Sequence, residues 1–138
     1  MVNVIVIKQR LKQLANSLRK IEKYRAFTLD EFIQDEVAQD VVEYNLFIAI
    51  NMMIDIATHI VVDNNMGNPD TLGDAFTVLN KENYLGDGET IIYKNMVGLR
   101  NILAHEYLKI DKEIIFSILQ NNLVDFKKFI VFINDTFV

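Results

Sequence analysis

The chain has no cysteine, which excludes disulfides and thiolate metal sites and leaves the redox compartment open, a reducing cytoplasm being compatible. It has one proline and five glycines, and apart from Gly98 the glycines lie between 67 and 88, so most of the sequence carries nothing that interrupts a helix. No long stretch alternates apolar and polar residues, which excludes a strand-rich fold. Basic residues are few and the net charge is -5, which argues against a surface coated for broad nucleic-acid binding. There is no glycine-rich phosphate loop, Gly86-Asp87-Gly88 reading as helix punctuation. No run approaches the roughly 20 apolar residues that span a bilayer. Residues 2–7 lack a basic approach and a cleavage site, so they are expected to open a helix in a mature cytoplasmic protein.

What is present is apolar periodicity. Ile7, Leu11, Leu14, Leu18 and Ile21 draw one stripe down a helix predicted over residues 3–24. Thr28 with Glu31 predicts a capping box, opening a segment that runs to about 65 with a break near 34–39. Met66-Gly67-Asn68-Pro69 ends it, with glycine as the left-handed cap. A short helix is predicted from Thr71, with Asp74, to Asn80. A fourth, capped by Asp87 or Gly88, reaches about His105, and a last one starts at Asp111 with Ile115, Leu119, Phe126 and Ile130 on its apolar face. This predicts an all-α fold, an antiparallel bundle of four main helices plus one short helix, as one domain over residues 1–138. Hydrophobic residues make up 51%, more than so small an interior needs, and the surplus points to a protein partner.

Residues 100–107, Arg-Asn-Ile-Leu-Ala-His-Glu-Tyr, carry the chemistry. They place a permanent cation, one of the two histidines and a phenol within about two helical turns. Guanidinium stabilises anionic oxygen and imidazole moves protons near neutral pH, a pairing suited to phosphate chemistry. On a helical wheel Arg100 falls in the apolar sector with Tyr93, Met96, Leu103 and Ala104, and His105 lies about 140° away. A cation there requires a counter-charge, a phosphate or a cleft between subunits. In the plain structural reading, Arg100 pairs with Asp55 or Glu43, His105 complements the helix C-terminus and Tyr107 is core. Asp55 and His59 share one helical face, but two ligands without a third make a weak metal site, so no metal and no cofactor are expected. The methionines at 52, 53 and 96 read as packing.

The octet resembles the Arg-x4-His-x-Tyr motif of the HEPN superfamily, specifically the HepT toxins of MNT-HEPN toxin–antitoxin systems. The stretch from Ala49 to Ile60 is similar to that family's second long helix, Pro69 to Leu79 to its short helix, and Met96-Val97-Gly98-Leu99-Arg100-Asn101 to its approach to the motif. Glu43-Tyr44-Asn45 departs from the Glu-Arg that many relatives carry. The resemblance implies a HEPN-like bundle, a homodimer, and a metal-independent endoribonuclease toxin of a type VII-like pair. It implies Arg100 and His105 as the catalytic pair, Asn101 and Asp55 in support, RNA as substrate, and a nucleotidyltransferase (MNT) antitoxin that adenylylates Tyr107. The other open reading is a non-catalytic helical module that binds a nucleotidyltransferase, which the acidic charge favours.

Overall fold

The computed structural model describes residues 2–138, except for the side chain of Tyr107. Among the described residues there are seven α-helices and no strand. The first, α1 (Val4–Glu22), buries Ile7, Leu11, Leu14, Leu18 and Ile21, the stripe its periodicity draws. Asn3 caps it by accepting from Val6 N, and Arg19 and Lys20 complement the negative end of its dipole.

The Thr28–Glu31 capping box is formed in both directions and opens α2 (Leu29–Gln34). The break falls at Asp35, which caps α3 (Glu36–Asp63) by accepting from Ala38 N at 3.0 Å. Gln39 holds the corner, its buried amide donating to the Phe32 and Ile33 carbonyls at 2.9 Å each. Those carbonyls lie in the last turn of α2, where Phe32 O also accepts from Asp35 N at 3.2 Å, so the corner leaves neither unsatisfied.

At the end of α3 the left-handed residue is Asn65, at φ 54°, and not Gly67. Asparagine tolerates this region through local hydrogen bonding, and it arrives two positions before the glycine does. The short helix α4 (Asp74–Lys81) begins later than predicted. Asp74 accepts from Asp70 N, Thr71 N and the Thr71 hydroxyl, so residues 70–73 wrap the helix start instead of forming its first turn. The Thr71 hydroxyl and these amides hold the Asp74 carboxyl below its ordinary range.

The cap of α5 (Asp87–His105) is Gly86, not Asp87 or Gly88; Asp87 instead accepts from Asn80 Nδ2 at 3.0 Å across the α4–α5 turn. The single last helix is two, α6 (Lys112–Asn121), which Asp111 caps, and α7 (Leu123–Phe137). Asn122 interrupts the ladder at φ -114°, where its Nδ2 donates to Asp125 Oδ2 at 3.0 Å.

Helix α3 is the axis of the bundle, touching α1, α2, α4, α5 and α6. Asn3 meets Asp63 and Arg10 meets Asp55, so α1 runs antiparallel to it. By length and composition α3 is a helix that could cross a membrane, which corrects the expectation that no segment qualifies. More than half of its apolar stretch is buried, Leu46, Ile50, Met53, Ile56, Ala57 and Ile60 among the residues that fill the interior between its neighbours. Phe76, Tyr93 and Phe129 close the far end of the core with tilted and edge-on ring contacts.

Candidate active site

Helix α5 crosses α3 so that Arg100 stands level with Phe47 and Asn51. Its Nε donates to Asn51 Oδ1 at 2.8 Å, its Nη1 donates to Asn101 Oδ1 at 3.2 Å, and the guanidinium carbon lies 5.2 Å from the Phe47 ring centroid. Nη2 has no hydrogen-bond partner among the described residues, and the side chain is half-buried. The arginine is therefore fixed by two neutral amides and an aromatic face, which orient it without cancelling its charge.

The carboxylates expected to neutralise Arg100 are engaged elsewhere. Asp55 accepts from Arg10 Nε at 2.6 Å and lies 3.6 Å from His59 Nε2; Glu43 accepts from Lys112 Nζ at 2.7 Å. Glu43, Phe47, Asn51 and Asp55 recur every four residues along α3. Arg100 reaches the middle of that row, while α6 supplies a cation to the first member and α1 to the last. Register between helices decided the pairing, and sequence spacing within α5 does not carry it. The Asp55–His59 contact is the one the i,i+4 spacing allows, and no group of three His, Cys, Asp or Glu that could hold a metal occurs among the described residues.

His105 is the last residue of α5 and is exposed. The helix holds through it, with Glu106 N donating to Ile102 O at 2.8 Å, so the imidazole does not swing toward Arg100. Within one chain the two residues point to different sides of α5. Asn101 contacts the arginine, not the histidine. Past His105 the backbone turns into a 3-10 segment, Tyr107–Lys109, in place of further α-helix. The Tyr107 side chain lies outside the described residues. Neighbouring Leu108 is 86% exposed, an apolar side chain left to a partner or to solvent.

Two recesses flank this end of α5. One, of about 430 Å³, is lined by Asp40, Glu43, Tyr44, Phe47, Leu103 and Ala104. The other, of about 550 Å³, lies between α5 and residues 70–73 and is lined in part by Lys94, Gly98 and Asn101. Sequence reasoning missed Asn51 and Phe47 as the holders of Arg100. The signal available was Asn51 itself, an amide in an otherwise apolar run.

A family model described as ribonuclease HepT-like matches residues 14–133. The chain belongs to the HepT-like family. It is 38% identical over 100 residues to the mRNA nuclease HepT of Shewanella oneidensis, covering 72% of this chain and 75% of that protein. It is 28% identical over 130 residues to the tRNA nuclease HepT of Aphanizomenon flos-aquae, covering 94% and 88%. Among solved structures, the tri-AMPylated Shewanella oneidensis HEPN toxin in complex with its MNT antitoxin superposes with a TM-score of 0.87 at 31% identity, covering 98% of this chain and 99% of that one. The HEPN-like helical fold read from the sequence is thus the fold of this HepT-like chain.

Proposed function

We propose that this HepT-like chain is the toxin of a toxin–antitoxin pair, a metal-independent endoribonuclease that works as a homodimer in the cytoplasm. The whole chain serves as one helical domain. The observation that carries the reading is Arg100, a half-buried cation pinned by amides with no carboxylate partner among the described residues. An immobile and uncompensated guanidinium is suited to developing negative charge on a phosphoryl group. The family's nuclease relatives give that chemistry its substrate class, RNA.

In the mechanism that follows, the RNA 2′-oxygen attacks the adjacent phosphorus. One His105 takes the 2′-hydroxyl proton, and the other gives a proton to the departing 5′-oxygen as the P–O5′ bond breaks. The products are a 2′,3′-cyclic phosphate and a 5′-hydroxyl. The two Arg100 side chains hold the non-bridging oxygens through the phosphorane. A two-fold axis supplies the second histidine, and it answers the separation of Arg100 and His105 on α5 within a single chain. Leu108 and Ile102, exposed beside the motif, are the apolar surface such a pairing would cover.

Inhibition follows by transfer of AMP from ATP to the Tyr107 oxygen by an MNT nucleotidyltransferase, with pyrophosphate leaving. The HEPN toxin captured AMPylated with its MNT antitoxin supports this step. Adenylate bulk and negative charge on the motif would exclude an RNA backbone. The acidic net charge of -5 favours a second reading, a non-catalytic docking module for the nucleotidyltransferase. Expression of the chain alone separates the two: growth arrest relieved by His105→Ala is the expected result, and indifference to expression would favour the module. Mass spectrometry of Tyr107 peptides after co-expression with the nucleotidyltransferase is expected to show added AMP, and an unshifted mass would remove the inhibitory step.

A further inference from the structure

Arg100 is not the only arginine fastened to α3 by its Nε. One turn further along, Arg10 of α1 donates its Nε to Asp55 Oδ2 at 2.6 Å. Asn51 and Asp55 are four residues apart, so the two anchor points are separated by about 6 Å along the helix and about 40° around it. Helices α1 and α5 flank α3 on either side, and each sends one guanidinium to the strip of α3 left half-buried between them. Arg10 is 39% exposed, and its two Nη groups have no partner among the described residues. His59 joins the same cluster, with Nε2 3.6 Å from Asp55 Oδ1 and no partner on Nδ1 among the described residues.

A part-exposed ion pair contributes little to stability, so the fold alone gives weak reason for this arrangement. As a ligand site it has a clear logic. Asp55 uses one oxygen to lock the Arg10 Nε edge and turns the other toward His59, which leaves the Arg10 Nη groups as donors beside a second cationic head. The step between the two anchor points, Asn51 and Asp55, is of the order of the step between successive phosphates of an extended strand, and single-stranded nucleic acid is held by grooves that track its backbone.

We propose that Arg10, anchored by Asp55 and flanked by His59, binds the RNA phosphate next to the scissile one. The inference rests on the RNA-cleaving reading and adds to it a subsite that sets which length of strand is held.

The test uses a labelled 2′-O-methyl oligoribonucleotide, which binds but lacks the free nucleophile and so cannot be cut. Its affinity is measured against salt for the wild-type protein, Arg10→Ala, Arg10→Gln and Lys12→Ala, the last removing an exposed cation from another side of α1. Arg10→Ala is expected to weaken binding roughly tenfold, as loss of a charge-assisted phosphate contact does. The slope of log affinity against log salt should fall by about 0.7, the value of one phosphate contact on a single strand. Arg10→Gln, which keeps a donor and the side-chain bulk, should do the same if Arg10→Ala does not fold. Lys12→Ala should change affinity by less than about twofold.

Affinity unchanged in both Arg10 variants overturns the proposal, as does a loss equal to that of Lys12→Ala, which would mean diffuse charge. A loss that accompanies dissociation of the dimer in light scattering also overturns it, since the cluster would then join two copies of the chain. Cleavage of unmodified RNA is scored separately. Arg10-dependent binding without cleavage would remove the ribonuclease reading and keep the subsite, cleavage with Arg10-independent binding would do the reverse, and absence of both would remove both.

Discussion

Two arginines reach the same helix and are fastened by the same nitrogen, yet their electrostatics differ. Arg100 is held by the amide of Asn51, which takes a hydrogen bond and returns no charge. Arg10 is held by the carboxylate of Asp55, which takes the same kind of bond and sets a negative charge against it. An amide clamp costs less in positional strength than it preserves in field, whereas a carboxylate clamp gives a firm position and a weak field. On the proposed reading, the uncompensated cation serves the reacting oxygen and the compensated one holds a neighbour.

The largest expected break is Arg100→Ala, which should lower RNA cleavage roughly 100-fold or more, the usual cost of removing a donor to a charged transition state. Arg100→Lys should recover little, because an ammonium cannot bond Asn51 and a phosphoryl oxygen in one plane. Next comes Asn51→Asp, which turns the first clamp into the second. It keeps an acceptor at the same place and adds a negative charge, so cleavage should fall roughly tenfold with the melting temperature little changed. A rate equal to the wild type would show that the neutrality of the clamp is irrelevant. The reciprocal exchange, Asp55→Asn, should tighten RNA about threefold by unmasking Arg10, and weaker binding would contradict the compensation argument. Smallest is Gly98→Ala, a control that touches neither clamp. Its added Cβ meets nothing within 4 Å, so relief of the glycine penalty should raise the melting temperature by about 2–4 °C.

The same contrast explains what could be read from residues alone. The α1 stripe, the Thr28 capping box and the Asp111 cap were legible because each is a local matter, settled within a few residues by periodicity or by orphan backbone groups. The break at Asn122 was not, since the apolar spacing continues across it and gives no sign of the change in backbone at that residue. The caps at Gly86 and Asn65 slipped by one or two positions for a similar reason: several turn residues stood side by side, and packing chose among them.

At the site, a cation in the apolar sector of α5 was visible from the wheel, as was its need for a partner. Which partner it meets depends on how far α5 slides along α3, a long-range quantity. One turn of slippage one way would have delivered Asp55 in place of Asn51, and two turns the other way Glu43, either of which would have placed a carboxylate against the cation. The exposed position of His105 was legible, and its place on a different side of α5 from Arg100 is what the proposed second copy answers.

The most direct measurement is cleavage of a labelled RNA by the purified protein in excess chelator, run beside Arg100→Ala and His105→Ala. The account predicts fragments ending in 2′,3′-cyclic phosphate from the wild type and a loss of roughly 100-fold or more in each variant. Variants that cut at the wild-type rate, or a wild type that cuts only when divalent metal is restored, would contradict it.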